Sequence, residues 1–157
     1  MSRRHAPVSE THRAGMAAAL AAARRGAATG EVPVGAAVIV DGRVVSIAHN
    51  ETVARRDLTQ HAELIAIRRA LQSIGVDRLD QATLYVTLEP CAQCAGAIVL
   101  ARVGKVIFGA YDPKAGMAGS VGDLLRHPRL NHRPEVQGGV MADECGVLLA
   151  DFFARRR

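Results

Sequence analysis

Tryptophan is absent, and aromatic residues make up only 3% of the chain. So few flat rings cannot build a general stacking platform for nucleic-acid bases. There are three cysteines, too few for a disulfide framework. Thiols in that number fit a reducing compartment. No apolar run approaches the roughly 18 residues that a membrane span needs. None follows Arg3 and Arg4 closely enough to form a secretory leader. The expected compartment is the soluble cytoplasm, with no membrane partner. Long low-complexity tracts and internal repeats are missing too.

What is present is an ordinary globular composition. The chain has 157 residues, 49% of them hydrophobic and 22% charged. That is one domain with a sizeable core, expected to span residues 1–157 with short basic ends. The net charge of +5 suggests a polyanionic partner until its location is considered. Arg3, Arg4, Arg155, Arg156 and Arg157 all lie near the termini. Without those five, fifteen basic residues face fifteen acidic ones. The body is balanced, and the tails are either solvated ends or phosphate contacts that carry no sequence information.

Apolar spacing predicts the elements. Residues 10–27 form a helix on Met16, Ala17, Leu20 and Ala21, with Gly26 and Gly30 as stop signals. Val34–Val40 and Val44–Ile47 are strands joined by Asp41-Gly42, a strong hairpin signal. A helix over 59–73 ends near Gly75, Ala82–Leu88 is a strand, and Pro90 opens a helix through about Ala101. Lys105–Ala110 is a strand. Gly109–Arg133 is a long surface segment with a turn at Asp123–Arg126. Val136–Gly139 is a last short strand, and Ala142–Phe153 a final helix. This order predicts a three-layer α/β/α sandwich with helices covering a central mixed sheet.

The chemistry concentrates in two short motifs. Cys91 and Cys94 stand three residues apart at a helix start, so both thiols can reach one ion. The positive end of a helix favours the thiolate. His61 is placed in the first turn of the preceding helix, so two helix N-termini can converge on one metal. Zinc suits a nitrogen and sulfur donor set. Three protein ligands leave the fourth position for water, the pattern of a catalytic zinc, with one ion expected per chain. Glu63, two residues after His61, can accept that water's proton and return it. Two blander readings compete. Cys145 could close a four-ligand structural site, and Cys-x-x-Cys could be a redox pair, although neither needs Glu63. Cys145 reads as a small core residue.

His61-Ala62-Glu63 with Pro90-Cys91-Ala92-Gln93-Cys94 resembles the signature of the cytidine deaminase superfamily, a known mark of zinc deaminases. The likeness extends further. Glu31 to Ala36, Asn50, Asp57 to Glu63, Tyr85 to Ala97 and Phe108 to Ala110 resemble bacterial tRNA-specific adenosine deaminases. So do Gly119-Ser120, His127-Pro128, Asn131-His132-Arg133 and Ala142 to Phe153. The resemblance runs from about residue 12 to residue 156. It implies a cytidine deaminase-like sandwich on a five-stranded sheet and conversion of the wobble adenosine of a tRNA anticodon loop to inosine. It also implies a homodimer and no organic cofactor. His61, Cys91 and Cys94 match the zinc ligands, and Glu63 the proton shuttle.

Asn50 matches a residue that hydrogen-bonds the target nucleotide; its blander reading is an Asx-turn. Pro33 and Val34 would line the base pocket. Asp112 would meet a ribose 2′-hydroxyl, or else make a turn before Pro113. Phe152 or Phe153 would stack on a flanking base while the arginines meet phosphate, or at least one would end a helix in the core. His127 and Arg133 are further loop contacts. Tyr111 stands where the relatives carry a basic residue. The alternative enzyme is a deaminase of a small base or nucleoside such as cytosine, cytidine or guanine. A non-catalytic RNA-binding module is a third reading, which Glu63 argues against.

Overall fold

The structure is a computed structural model that describes residues 9–156. Arg3, Arg4 and Arg157, part of the expected basic tails, lie outside the described residues, as does the segment before Ser9.

Helix α1 spans Glu10–Ala28, capped by the Ser9 hydroxyl, which accepts from the His12 N–H. It does not stop at Gly26. That glycine is helical and buried, because any side chain there would collide with the His49 ring. Gly30, at φ +89, makes the real exit. Strands β1 (Gly35–Val40) and β2 (Arg43–His49) pair antiparallel. Their link is the expected tight turn, with Asp41 and Gly42 both at positive φ, as a two-residue hairpin of this hand demands.

Helix α2 covers Ala62–Ile74 and ends on left-handed Gly75. It begins three residues later than its apolar spacing suggests. The Asp57 carboxylate takes hydrogen bonds from the Thr59 N–H, the Thr59 hydroxyl and the Gln60 amide. Those contacts fold 57–60 into a turn instead. Strand β3 (Ala82–Leu88), helix α3 (Ala92–Leu100) and strand β4 (Lys105–Ala110) follow. Pro90 lies just outside α3, not in its first turn. Strand β5 is Glu135–Gln137 and helix α4 is Ala142–Ala154.

The sheet order is β2-β1-β3-β4-β5, antiparallel through β3 and parallel from there. The mixed five-stranded sheet is thus the expected one. Successive side chains of a strand face opposite ways, and the two faces carry separate cores. Val38, Leu84, Val86 and Phe108 pack with α2 and α3 residues such as Ile65, Ala66 and Ile98. Tyr85 and Ile107 face the other way, onto Met16, Ala19 and Leu20 of α1 and Cys145 of α4. Each fully buried large side chain of this kind contributes about 1.5–3 kcal/mol.

The segment between β4 and β5 keeps its irregular backbone but is not wholly on the surface. Leu125 is fully buried and belongs to the α2/α3-side core. The expected turn at Asp123–Arg126 is present, closed by the Arg126 N–H and guanidinium on Asp123. Parallel β3 and β4 end side by side at Leu88 and Ala110. A crevice beyond the carboxyl ends of parallel strands is the usual binding place in an open α/β sheet.

Candidate active site

His61 and Cys91 each occupy the N-cap of their helix, one residue outside it. The sequence placed His61 inside the first turn. Its extended backbone, φ −82 and ψ 150, excludes that. Neither side chain bonds its own helix end, so both are free to point elsewhere. They point at each other. His61 Nδ1 lies 3.5 Å from Cys91 Sγ and 3.5 Å from Cys94 Sγ. All three donor atoms lie within 4.8 Å of one another, the arrangement of a potential metal site. Tetrahedral zinc, with bonds of about 2.3 Å to sulfur and about 2.0 Å to nitrogen, holds such atoms about 3.5 Å apart. The spacing therefore fits the ion, with Nδ1 as the ligating nitrogen.

Protons are unevenly shared within this cluster. The hydrogen bond from Cys94, and then that from His61, hold the Cys91 thiol at about 3 against the opposing effect of burial. The same Cys91–Cys94 bond, with burial, pushes Cys94 upward. Hydrogen bonding to Cys91 raises His61. A bound cation replaces such protons, because its ligands must be thiolate and neutral imidazole. Cys145 is absent from this cluster. It is buried against Tyr85 and α1 across the sheet, and burial pushes its thiol up to about 11. That placement removes the four-ligand structural reading.

His61 and Cys91 line a cavity of about 380 Å³, with Cys94 buried behind them. Glu63 lines it from the first turn of α2 and is only 4% exposed. Burial raises its pKa, more than the nearby His61 charge lowers it. A carboxyl poised upward from the usual range is suited to taking and returning a proton near neutrality.

Asn50 lines the same cavity, and among the described residues its side chain reaches ahead to α2 in place of an Asx-turn. Its Oδ1 accepts from the Ala62 N–H at 2.8 Å, satisfying a free donor at the start of α2. Its Nδ2 makes no hydrogen bond among the described residues and remains a donor for a ligand. Val34 is in the wall, but its partner there is Val32, not Pro33. The Val34 N–H donates to the Val32 carbonyl at 2.8 Å. This three-residue turn centres on Pro33, whose ring presets the needed φ. Both valines then reach the cavity, while Pro33 is buried behind it.

Asp112 is in the wall as expected. It also makes the turn after itself, its Oδ1 accepting from the Lys114 and Ala115 N–H groups. The turn reading of this residue therefore holds, and its place in the wall leaves it facing the cavity. The remaining expected contacts lie outside the cavity. His127 is exposed and accepts from the Arg129 N–H, and Arg133 is exposed beyond it. Phe153 is 50% exposed, Phe152 half-buried, and neither joins the core. The Arg156 guanidinium sits 4.2 Å above the Phe152 ring and donates to the Gly30 carbonyl. Phe152 thereby lines a separate hollow with Arg24, Leu148 and Arg155. Tyr111 turns away to stack edge-on against Phe108.

Sequence reasoning missed two buried carboxylates. Glu31 accepts from the Val53 and Ala54 N–H groups at 2.7 and 3.1 Å. Glu89 accepts from the loop after β4. Each sits beside a proline-containing segment in an otherwise apolar stretch, and that oddity is their only signal in the sequence.

A model of the MafB19-like deaminase family matches residues 10–157. The fold and the clustered donors thus define the class: this is a deaminase. Over 142 residues the chain is 46% identical to the tRNA-specific adenosine deaminase of Bacillus subtilis, covering 90% of this chain and 88% of that one. A solved structure from studies of A-to-I editing by tRNA:A34 deaminases has a TM-score of 0.84 at 41% identity, over 87% of this chain and 99% of that one. The guanine deaminase of Bacillus subtilis matches at a TM-score of 0.62 and 31% identity, over 92% and 93%. The chain belongs to the tRNA-specific adenosine deaminases within that deaminase class.

Proposed function

We propose that this chain hydrolyses the wobble adenosine of a tRNA anticodon loop to inosine, as a single zinc-dependent domain with one ion on His61, Cys91 and Cys94. The observation that carries the reading is the clustering of that donor set beside one cavity lined by His61, Cys91, buried Glu63, Asn50 and Asp112. It occurs in a chain 46% identical to a tRNA-specific adenosine deaminase. Zinc held there lowers the pKa of water towards neutrality and so supplies the nucleophile.

Glu63 takes the proton that water gives up and places it on N1 of the purine as oxygen joins carbon 6. It then carries the second proton to the departing amine. Adenosine and water become inosine and ammonia, with Glu63 unchanged. The Asn50 Nδ2 group donates to the target nucleotide and fixes its orientation. The free Asp112 oxygen accepts from a 2′-hydroxyl, which DNA lacks. Val32 and Val34 wall the base with apolar surface. A base must leave its stack to enter so small a chamber, and a single-stranded loop makes that cheap.

Two copies of the chain form the working unit in this reading. Leu58 and Leu100, each 83% exposed, are apolar surface suited to a partner copy. Phosphate contacts belong to Arg155 and Arg156, with His127 and Arg133 as outlying loop contacts. No helix among the described residues is long and apolar enough to cross a membrane, which is consistent with a cytoplasmic site of action.

Sequencing total tRNA after incubation with the zinc-loaded protein tests the proposal: inosine should appear at the wobble position. The match to a guanine deaminase keeps one alternative in view, a small free base as substrate. Release of ammonia from guanine, with unedited tRNA, would establish it.

A further inference from the structure

Glu89 is a carboxylate with no ion-pair partner among the described residues, only 2% exposed, in the wall of the substrate cavity. Four hydrogen bonds reach it, from the Asp112, Ala118 and Ser120 N–H groups and the Ser120 hydroxyl. Every one of those bonds goes to a single segment. Oε1 accepts from the Asp112 N–H at 3.0 Å and from the Ser120 hydroxyl. Oε2 accepts from the Ala118 N–H at 3.0 Å and the Ser120 N–H at 3.1 Å. Both oxygens are therefore filled by donors from residues 112–120. Gly116, at the inside of this curve, has no room for a side chain, because a Cβ there would collide with the Glu89 carboxylate.

We propose that Glu89 is a positioning residue, a buried anion that gathers the 112–120 segment and holds Asp112 against the bound ribose. Its action on catalysis rests on the RNA substrate proposed above; its action on the loop does not. The geometry explains why the residue must be a carboxylate. Four donors face it and no acceptor does. A glutamine of equal size presents an N–H₂ group where two of those donors point, so half the clamp becomes repulsive. The loop carries no helix or strand of its own beyond one isolated bridge, Ala118 to Asp123. The Met117 N–H on the Pro90 carbonyl and buried Ala118 anchor the far part of the segment; at Asp112 the hold comes from the anion.

Three variants test this: Glu89→Gln, Glu89→Asp and Ser120→Ala. Each is assayed for zinc content, for amide hydrogen exchange over 112–120, and for KM and kcat on an anticodon stem-loop RNA with adenosine at the wobble position. Glu89→Gln should retain one zinc per chain and raise KM by about tenfold or more, since charge-assisted bonds are the strong ones. Its kcat at saturation should stay within about threefold, while exchange at Ala118 and Ser120 accelerates. Glu89→Asp, which keeps the anion, should recover part of the KM. Ser120→Ala, which removes one hydroxyl donor and is safe for folding, should give a smaller rise in the same direction. Loss of zinc or kcat with KM unchanged would overturn the proposal in favour of a role at the metal. Unchanged exchange in Glu89→Gln would overturn it outright. Should Glu89→Gln not fold, Ser120→Ala decides, and a KM and exchange rate equal to wild type reject the clamp. A wild-type protein inactive on the RNA refutes the substrate assignment instead, and the exchange measurements then judge Glu89 on their own.

Discussion

Replacing Asn50 in two ways separates its two jobs. The side chain is 8% exposed and its Oδ1 satisfies the Ala62 N–H at 2.8 Å. Asn50→Ala leaves that buried donor without a partner at the start of α2, a loss of about 1–3 kcal/mol. It also deletes the Nδ2 donor that faces the cavity. Asn50→Asp keeps an acceptor in the same place. A carboxylate at a helix N-terminus gains about 0.3–1 kcal/mol from the helix dipole, which offsets part of the cost of burying it. Asn50→Asp should therefore unfold in guanidinium within about 1 kcal/mol of wild type, while Asn50→Ala falls clearly below. Both should lose turnover. Removing a donor that matters in the transition state costs about 10²–10³ in kcat, and an added anion beside Glu63 makes the aspartate no better than the alanine. Guanidinium midpoints, zinc analysis and single-turnover deamination measure all three quantities. An aspartate variant that turns over like wild type would show that Nδ2 does not touch the substrate. Equal destabilisation of both variants would show that the cap is not worth its bond length.

Other outcomes follow from the same geometry. Glu63→Ala should keep one zinc per chain yet show no turnover; persistent turnover removes Glu63 as the proton carrier. Cys145→Ala should also keep its zinc, since that thiol lies across the sheet from the donors. Burial lifts Cys145 from 9.0 to about 11, so the unfolded chain ionises first as pH rises. The stability this buried neutral thiol provides is intact below about pH 9 and is lost progressively towards pH 11. Denaturant unfolding at pH 8 to 11 should show that decline in wild type, and parallel curves for Cys145→Ala would refute it. Deamination of the stem-loop should fall steeply with ionic strength, in proportion to the phosphates contacted. A flat response would point to a small neutral substrate.

Regular spacing made most of the fold legible. Alternation in Leu84-Tyr85-Val86 and Val106-Ile107-Phe108 foretells two cores, and Asp41-Gly42 foretells the hairpin. Where the sequence misled, a particular side chain set the course of the backbone. Asp57 gathers 57–60 and delays α2, and His49 accommodates Gly26 inside α1. The zinc donors and Glu63 are identifiable from spacing because metal geometry demands it. Glu31 and Glu89 are not, because most of their partners are backbone N–H groups, which carry no residue identity. Pro33 misled for a local reason, since the turn around it sends its neighbours into the cavity and the ring behind.

His61 and Cys91 stand where helices usually carry a capping side chain, and neither caps. Their helices start with help from elsewhere. Residue 50 bonds to residue 62, residue 61 meets residue 91, and residue 89 grips residues 112 to 120. These spans overlap like links across residues 50–120. A molecule in which all three links are open has lost the centre altogether. Turnover is in that sense a gauge of intact molecules. Its decline with urea should superimpose on the loss of secondary structure, in place of the early inactivation typical of sites carried on a single loose loop.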